Sequence, residues 1–283
     1  MNEIYLDNSA TTRPLPEVIE YMNKTLKTKY GNPSSLHQKG LTAEKIITKA
    51  KKTIANKLKV NPDEIYFTSG GTESNNLALK GVANTYHNRG RHLITTAVEH
   101  ASVLNVFKAL ERKGFEVTYL NTDQNGIISL DQLKNSLRPE TILVSIMQVN
   151  NEIGSIQPIL EAGNIIKEYN ENIFFHVDAV QAFGKILVKP TDSNIDFLSL
   201  SGHKIHGPKG IGTLYMKTGI EIKPLFNGGG QESGIRSGTE NVPGIAGLIP
   251  AVNDLPNLNQ NLNKDQKLDR LKNIFLDQLK ETL

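Results

Sequence analysis

Apolar positions along the chain keep two different rhythms. From about Leu15 to Leu26, and again from Leu41 to Leu58, they recur at the spacing of one helix face. Beyond Leu58 short apolar runs take over: Ile65–Thr68, Leu93–Thr96, Val117–Leu120, Ile142–Val149, Ile173–Val177, Ile195–Leu200 and Gly212–Met216. Most are separated by helix-periodic segments such as Asn75–Asn84, Ser102–Arg112 and Leu160–Tyr169. Ser129 and Gln132 stand at capping-box spacing just before Leu133 and Leu137, which marks one helix start. Strands alternating with helices predict an α/β fold, a mostly parallel seven-stranded sheet flanked by helices. No internal repeat or low-complexity tract interrupts the pattern.

The rhythm changes near the end. Asp254 to Asn263 is polar and Asn-rich and contains Pro256, the composition of a linker. Leu268, Leu271, Phe275 and Leu279 then line one apolar helix face. Such a helix either begins a second domain that is incomplete here or docks back on the main domain, and periodicity leaves both open. The expected division is an N-terminal arm over 1–14, a large domain over 15–255, and a linker plus the first helix of a small domain over 256–283.

Composition removes several classes of function. Hydrophobic residues at 38% and charged residues at 22% fit an ordinary globular protein. No apolar run reaches the roughly 18 residues of a membrane span, so no membrane role is expected. The start, Met1-Asn2-Glu3-Ile4, has no basic stretch followed by an apolar one, so the expected location is cytoplasmic. A formal charge of +3 without a block of like charges gives no footprint for nucleic acid. There are no cysteines, hence no disulfides and no thiolate metal site.

Ligands of open parallel sheets bind beyond the carboxyl ends of the strands, so the polar residues that follow each run are the candidates. Ser69-Gly70-Gly71-Thr72 leads into a helix, and its glycines and free amides suit a phosphate, although the same residues also suit a plain strand-to-helix turn. His100 follows the second run, Asn151 the fourth, and Asp178 with Gln181 the fifth. Ser201-Gly202-His203-Lys204 follows the sixth and ends in a Gly/Pro-rich turn. A lysine at the rim of an apolar strand can lose its proton and condense with a carbonyl. Pyridoxal 5'-phosphate (PLP) needs such a lysine, a carboxylate for its ring nitrogen and an anion cradle, and Lys204, Asp178 and Ser69–Thr72 are candidates for these parts. An isolated lysine in a turn is ordinarily just exposed; the co-occurrence of five polar strand-end clusters is what favours the site.

The same segments carry a family resemblance. Tyr5–Thr12, Gly31–His37, Thr68–Asn76, Glu99-His100, Asn150–Gly154, Asp178–Gln181, Ser201–Gly212 and Arg236–Asn241 look like the signature segments of NifS/IscS-type cysteine desulfurases, in order and over nearly the whole chain. These belong to the class V aminotransferases, of PLP fold type I. The resemblance implies that Lys204 bonds the cofactor, His100 stacks on its ring and helps move protons, Asp178 pairs with the ring nitrogen and Gln181 with the ring hydroxyl. Gly71 and Thr72, with Ser201 and His203, would hold the phosphate, Asn151 would lie near ring and substrate, and Thr239 would reach the phosphate of the neighbouring subunit in a homodimer. The implied reaction takes L-cysteine to L-alanine and passes sulfur to an enzyme cysteine as a persulfide, bound for a sulfur-acceptor or scaffold protein.

One departure stands against that pattern. The sequence contains no cysteine to carry the persulfide, and the arginine expected to grip the substrate carboxylate cannot be assigned. The expectation is a C-terminally truncated chain that binds PLP without completing sulfur transfer. Other readings on the same scaffold are a selenocysteine lyase, a class V aminotransferase, or a non-catalytic scaffold subunit; intact Lys204, Asp178 and His100 weigh against the last.

Overall fold

The computed structural model describes residues 4–258 and 266–282. Seven strands form one sheet: β1 (Ile65–Thr68), β2 (His92–Thr96), β3 (Glu116–Leu120), β4 (Thr141–Met147), β5 (Phe174–Asp178), β6 (Phe197–Ser201) and β7 (Gly212–Met216). Their order is β1-β7-β6-β5-β4-β2-β3. All neighbours are parallel except β7, which runs against both β1 and β6. Every apolar run of the sequence becomes a strand, and the predicted mostly parallel seven-stranded sheet is the one observed. Asp178 and Ser201 close their strands rather than following them.

The helices are α1 (Pro16–Thr28), α2 (Gln38–Leu58), α3 (Gly71–Tyr86), α4 (Ala101–Glu111), α5 (Leu130–Ser136), α6 (Ile159–Tyr169), α7 (Val242–Asn253) and α8 (Gln266–Thr282). Adjacent strand residues feed opposite cores, as a period of two demands. Leu93, Leu143, Phe197 and Leu214 pack with Leu77, Leu79 and Phe107 of α3 and α4. Their successors Ile94, Val144, Leu198 and Tyr215 pack on the other face, with Ile54 of α2, Ile166 of α6, and Ile245 and Leu248 of α7. Both faces are covered, so β4 is buried along its whole length.

Three details differ from the sequence reading or were left open by it. Helix α7 was not anticipated: its nearly all-apolar sequence, with nine of twelve residues buried, has no contrasting polar face to betray a period. Only half of the capping box at α5 forms. Ser129 accepts from the Gln132 amide at 3.2 Å, while the Gln132 side chain accepts from the Asn121 amide instead, at 3.0 Å. The terminal helix does form, but Leu271, Phe275 and Leu279 are exposed rather than docked on the main sheet; part of the preceding linker and the Leu268 side chain lie outside the described residues.

Candidate active site

The carboxyl ends of β1, β2, β4, β5 and β6 converge on a cavity of about 520 Å³, a size suited to a small cofactor. Gly71, Thr72, His100, Asn151, Asp178, Gln181, Ser201, His203 and Lys204, taken from five separate stretches of sequence, all line it. Thr239 does not; it is exposed elsewhere.

The floor is the end of β5. Asp178 is buried there, its Oδ1 accepting from the Val180 amide at 3.0 Å and its Oδ2 from Asn75 Nδ2 at 2.7 Å. Burial pushes its carboxyl above the usual carboxylate range, which those bonds and the charges of His100 and Lys204 only partly offset. Half-buried Lys204 ends a single turn after β6, and desolvation lowers its ammonium pKa against the opposing pull of Asp7 and Asp178. A poised amine and a buried carboxylate thus share one cavity and feel each other.

One wall is the start of α3. Gly70, at φ +156, leads the chain into the helix, and the amides of its first turn have no intrahelical acceptor. A Cβ on Gly71 would lie 2.7 Å from Val180 Cγ2 and 3.6 Å from Ser201 Cβ, so a side chain there would crowd the turn after β5 and the end of β6. A second close approach ties this wall to the lysine turn: a Cβ on Gly212, at the start of β7, would come within 2.5 Å of the Gly70 backbone. His203 completes this end, its Nδ1 3.0 Å from Thr11 Oγ1 and its pKa lowered first by burial and then by Lys204 and Lys209.

The N-terminal arm closes the opposite side. Thr12 binds the His203 carbonyl through its amide (2.9 Å) and its hydroxyl (2.8 Å). This stitches the arm to the lysine turn and brings the Ser9 and Ala10 carbonyls within hydrogen bonds of Lys204 Nζ, the latter at 2.8 Å. Gln181 Nε2 donates to the same Ser9 carbonyl at 2.8 Å, while its Oε1 accepts from Lys185 Nζ at 2.8 Å.

Several functional-site residues lay beyond the sequence reading. Lys185, four residues along in the turns after β5, fixes which way the Gln181 amide points. Glu99 is buried beneath the loop that carries His100, with Oε1 accepting from the Met147 amide (2.7 Å) and Thr96 (3.0 Å). Burial first, and then the Asp178 charge, raise its pKa to about 8. Asn75 and Ser102 connect Asp178 to His100. Asn75 and Ser102 had a weak signal, polar residues near the start of a helix behind a strand-end motif, while Glu99 and Lys185 had only their nearness in sequence to His100 and Gln181; only the fold shows what they touch.

The α/β fold thus gathers an amine, a carboxylate and a helix N-terminus at the ends of its strands. The model of the aminotransferase class-V family matches residues 4–282, and the chain belongs to that family. The cysteine desulfurase IscS of Methanosarcina thermophila is 52% identical over 245 residues, 87% of this chain and 60% of the relative. A solved NifS-like protein superposes with a TM-score of 0.87 at 47% identity, over 89% of this chain and 69% of the other. A structure described as SspA in complex with cysteine gives 0.88 at 42%, over 96% and 78%. The chain spans less than two thirds of the length of the curated relatives named above and of a second IscS, from Dictyoglomus turgidum, of which it covers 63%.

Proposed function

We propose that this chain supplies the cofactor-binding part of a PLP-dependent cysteine desulfurase acting on L-cysteine. The observation that carries the reading is the meeting of half-buried Lys204 and buried Asp178 in the lining of one strand-end cavity, beside the open amides of α3. These residues fit PLP. A carboxylate whose charge is strained by burial gains most from a ring N–H⁺ partner, and an anion is favoured at a helix N-terminus.

When bound, PLP supplies an aldehyde that condenses with amines and a ring that draws electrons from the neighbouring carbon. Lys204 holds the aldehyde end, its lowered pKa keeping more of the free amine at neutral pH. Asp178 keeps the ring nitrogen protonated, and Gln181, oriented by Lys185, offers its amide N–H to the ring hydroxyl. Gly71, Thr72, Ser201 and His203 grip the phosphate. His100 covers the ring face, and Asn151, at the cavity rim beside Glu152, lies on the substrate side.

The relatives named cysteine desulfurase and the solved neighbour bound to cysteine support the choice of substrate. In this reading sulfur leaves as a persulfide on a cysteine outside these 283 residues, towards iron–sulfur assembly or a thiolation pathway. A homodimer completes the site, with exposed Thr239 of one copy reaching the other's phosphate end. The test is direct: purified chain incubated with PLP turns yellow, and borohydride followed by peptide mass spectrometry finds the label on Lys204. A colourless protein, or label on another lysine, overturns the assignment. Having no thiol, the 283-residue chain forms no persulfide when given L-cysteine.

A further inference from the structure

Four side chains link the two faces of the cavity. Asn75, in the first turn of α3 and 99% buried, uses its one amide nitrogen twice: towards Asp178 Oδ2 at 2.7 Å and towards Ser102 Oγ at 2.8 Å. Ser102 Oγ lies 2.8 Å from His100 Nδ1, and the Ser102 backbone amide lies 3.1 Å from the same nitrogen, capping α4. Asn75 Oδ1 is buried without a donor among the described residues.

Direction follows from which groups can only donate. A carboxylate oxygen accepts, so the Asn75 atom facing Asp178 is the NH2 group, and its second hydrogen goes to Ser102 Oγ. That oxygen, already accepting, turns its own hydrogen to His100 Nδ1. The Ser102 backbone N–H, which can only donate, aims at Nδ1 as well. Both bonds require a lone pair there. In a neutral imidazole the proton then resides on Nε2, because the bond made by one ring nitrogen sets the state of the other.

We propose that Asn75 and Ser102 are positioning residues that hold His100 as the Nε2–H tautomer, so that a neutral His100 presents a proton rather than a lone pair to the cavity. The inference deepens the proposed function and rests on it for its chemical meaning. Under that reading His100 donates to a substrate or cofactor acceptor, and it gains a proton only at Nδ1, where the Ser102 hydroxyl must turn away and the Ser102 backbone amide must give up its bond. The same string of dipoles ties the state of His100 to the charge on Asp178, across the floor of the site.

The test reads tautomer rather than turnover. Long-range 1H–15N correlation spectra of the full chain without cofactor report which ring nitrogen of each histidine is protonated, and His100→Gln identifies the His100 signals. The expected pattern for neutral His100 is Nε2–H. Ser102→Ala, which keeps the backbone amide, shifts the tautomer ratio towards Nδ1–H by about fivefold, the effect of one neutral hydrogen bond. Asn75→Ala shifts it the same way, because Ser102 loses the donor that orients it. A neutral His100 protonated on Nδ1 overturns the inference, as does an unchanged ratio in Ser102→Ala or in folded Asn75→Ala. Should Asn75→Ala not fold, Ser102→Ala decides alone. Cofactor binding is scored separately: no binding of PLP with Nε2–H intact removes the proposed function and leaves the tautomer inference standing.

Discussion

Midway along β5, His176 sits wholly buried with Ser145 Oγ 2.8 Å from its Nδ1 and Ser199 Oγ 3.0 Å from its Nε2. His92, on β2, is held likewise between Thr141 (2.7 Å) and Thr118 (2.9 Å). Two residues beyond His176 on the same strand lies Asp178, whose neighbourhood is built on the opposite principle. Asn75 Oδ1 and Glu99 Oε2 are buried there without partners among the described residues. Inside the sheet, polar groups satisfy one another; at its carboxyl edge they are left wanting. The first arrangement holds strands in register, while the second stores the unmet hydrogen-bonding capacity that a ligand can use.

The sharpest way to break this contrast is Lys204→Ala. It is expected to abolish covalent attachment of PLP, read as loss of yellow colour and of borohydride label, while the melting temperature stays close to that of the parent chain. Asp178→Ala comes next. Removing one partner of a buried charged pair costs about 3–5 kcal/mol, so PLP affinity measured by fluorescence titration falls at least a hundredfold.

The mid-sheet ladder predicts the reverse pattern. His176→Leu leaves two buried hydroxyls unpaired at about 1–3 kcal/mol each, lowering the melting temperature by several degrees with PLP affinity within roughly twofold of the parent. It also alters the response to acid. The pKa of folded His176 is depressed by burial to about 3, against 6.5 when unperturbed. Between those values the unfolded chain binds the extra proton. This contribution is therefore complete above pH 6.5 and is lost as pH falls, at up to ~1.4 kcal/mol per pH unit. His92, depressed to about 4, adds a second such proton. Urea titrations at stepped pH should show His176→Leu with the shallower loss. The smallest effect is reserved for Thr72→Val: one hydroxyl donor at the exposed end of the cradle, about 1 kcal/mol or fivefold in PLP affinity.

Much of this organisation was legible before any coordinates. Strands Ile65–Thr68 and Gly212–Met216 match the sequence runs residue for residue, because each is an apolar run bounded by polar or glycine punctuation. The strand-end rule pointed to Lys204, Asp178, His100 and Thr72, which the fold brings to one cavity, because the crevice of such a sheet opens at the ends of its strands. What escaped depends on distance across the fold. The link from Asn75 to Asp178 spans 103 positions, and the grip of the arm on Lys204 spans more than 190. Helix α7 escaped for a different reason, since a segment buried all round carries no amphipathic signal.

The meeting of Gly212 with Gly70 sets a fixed gauge for the site. With main chain resting on main chain and no room for a methyl group between, the turn bearing the amine and the loop bearing the anion cradle cannot slide apart independently. The spacing between the main chain at the foot of the Lys204 turn and the start of α3 is then fixed by backbone contact, while the long Lys204 side chain takes up the remaining distance to whatever it reaches.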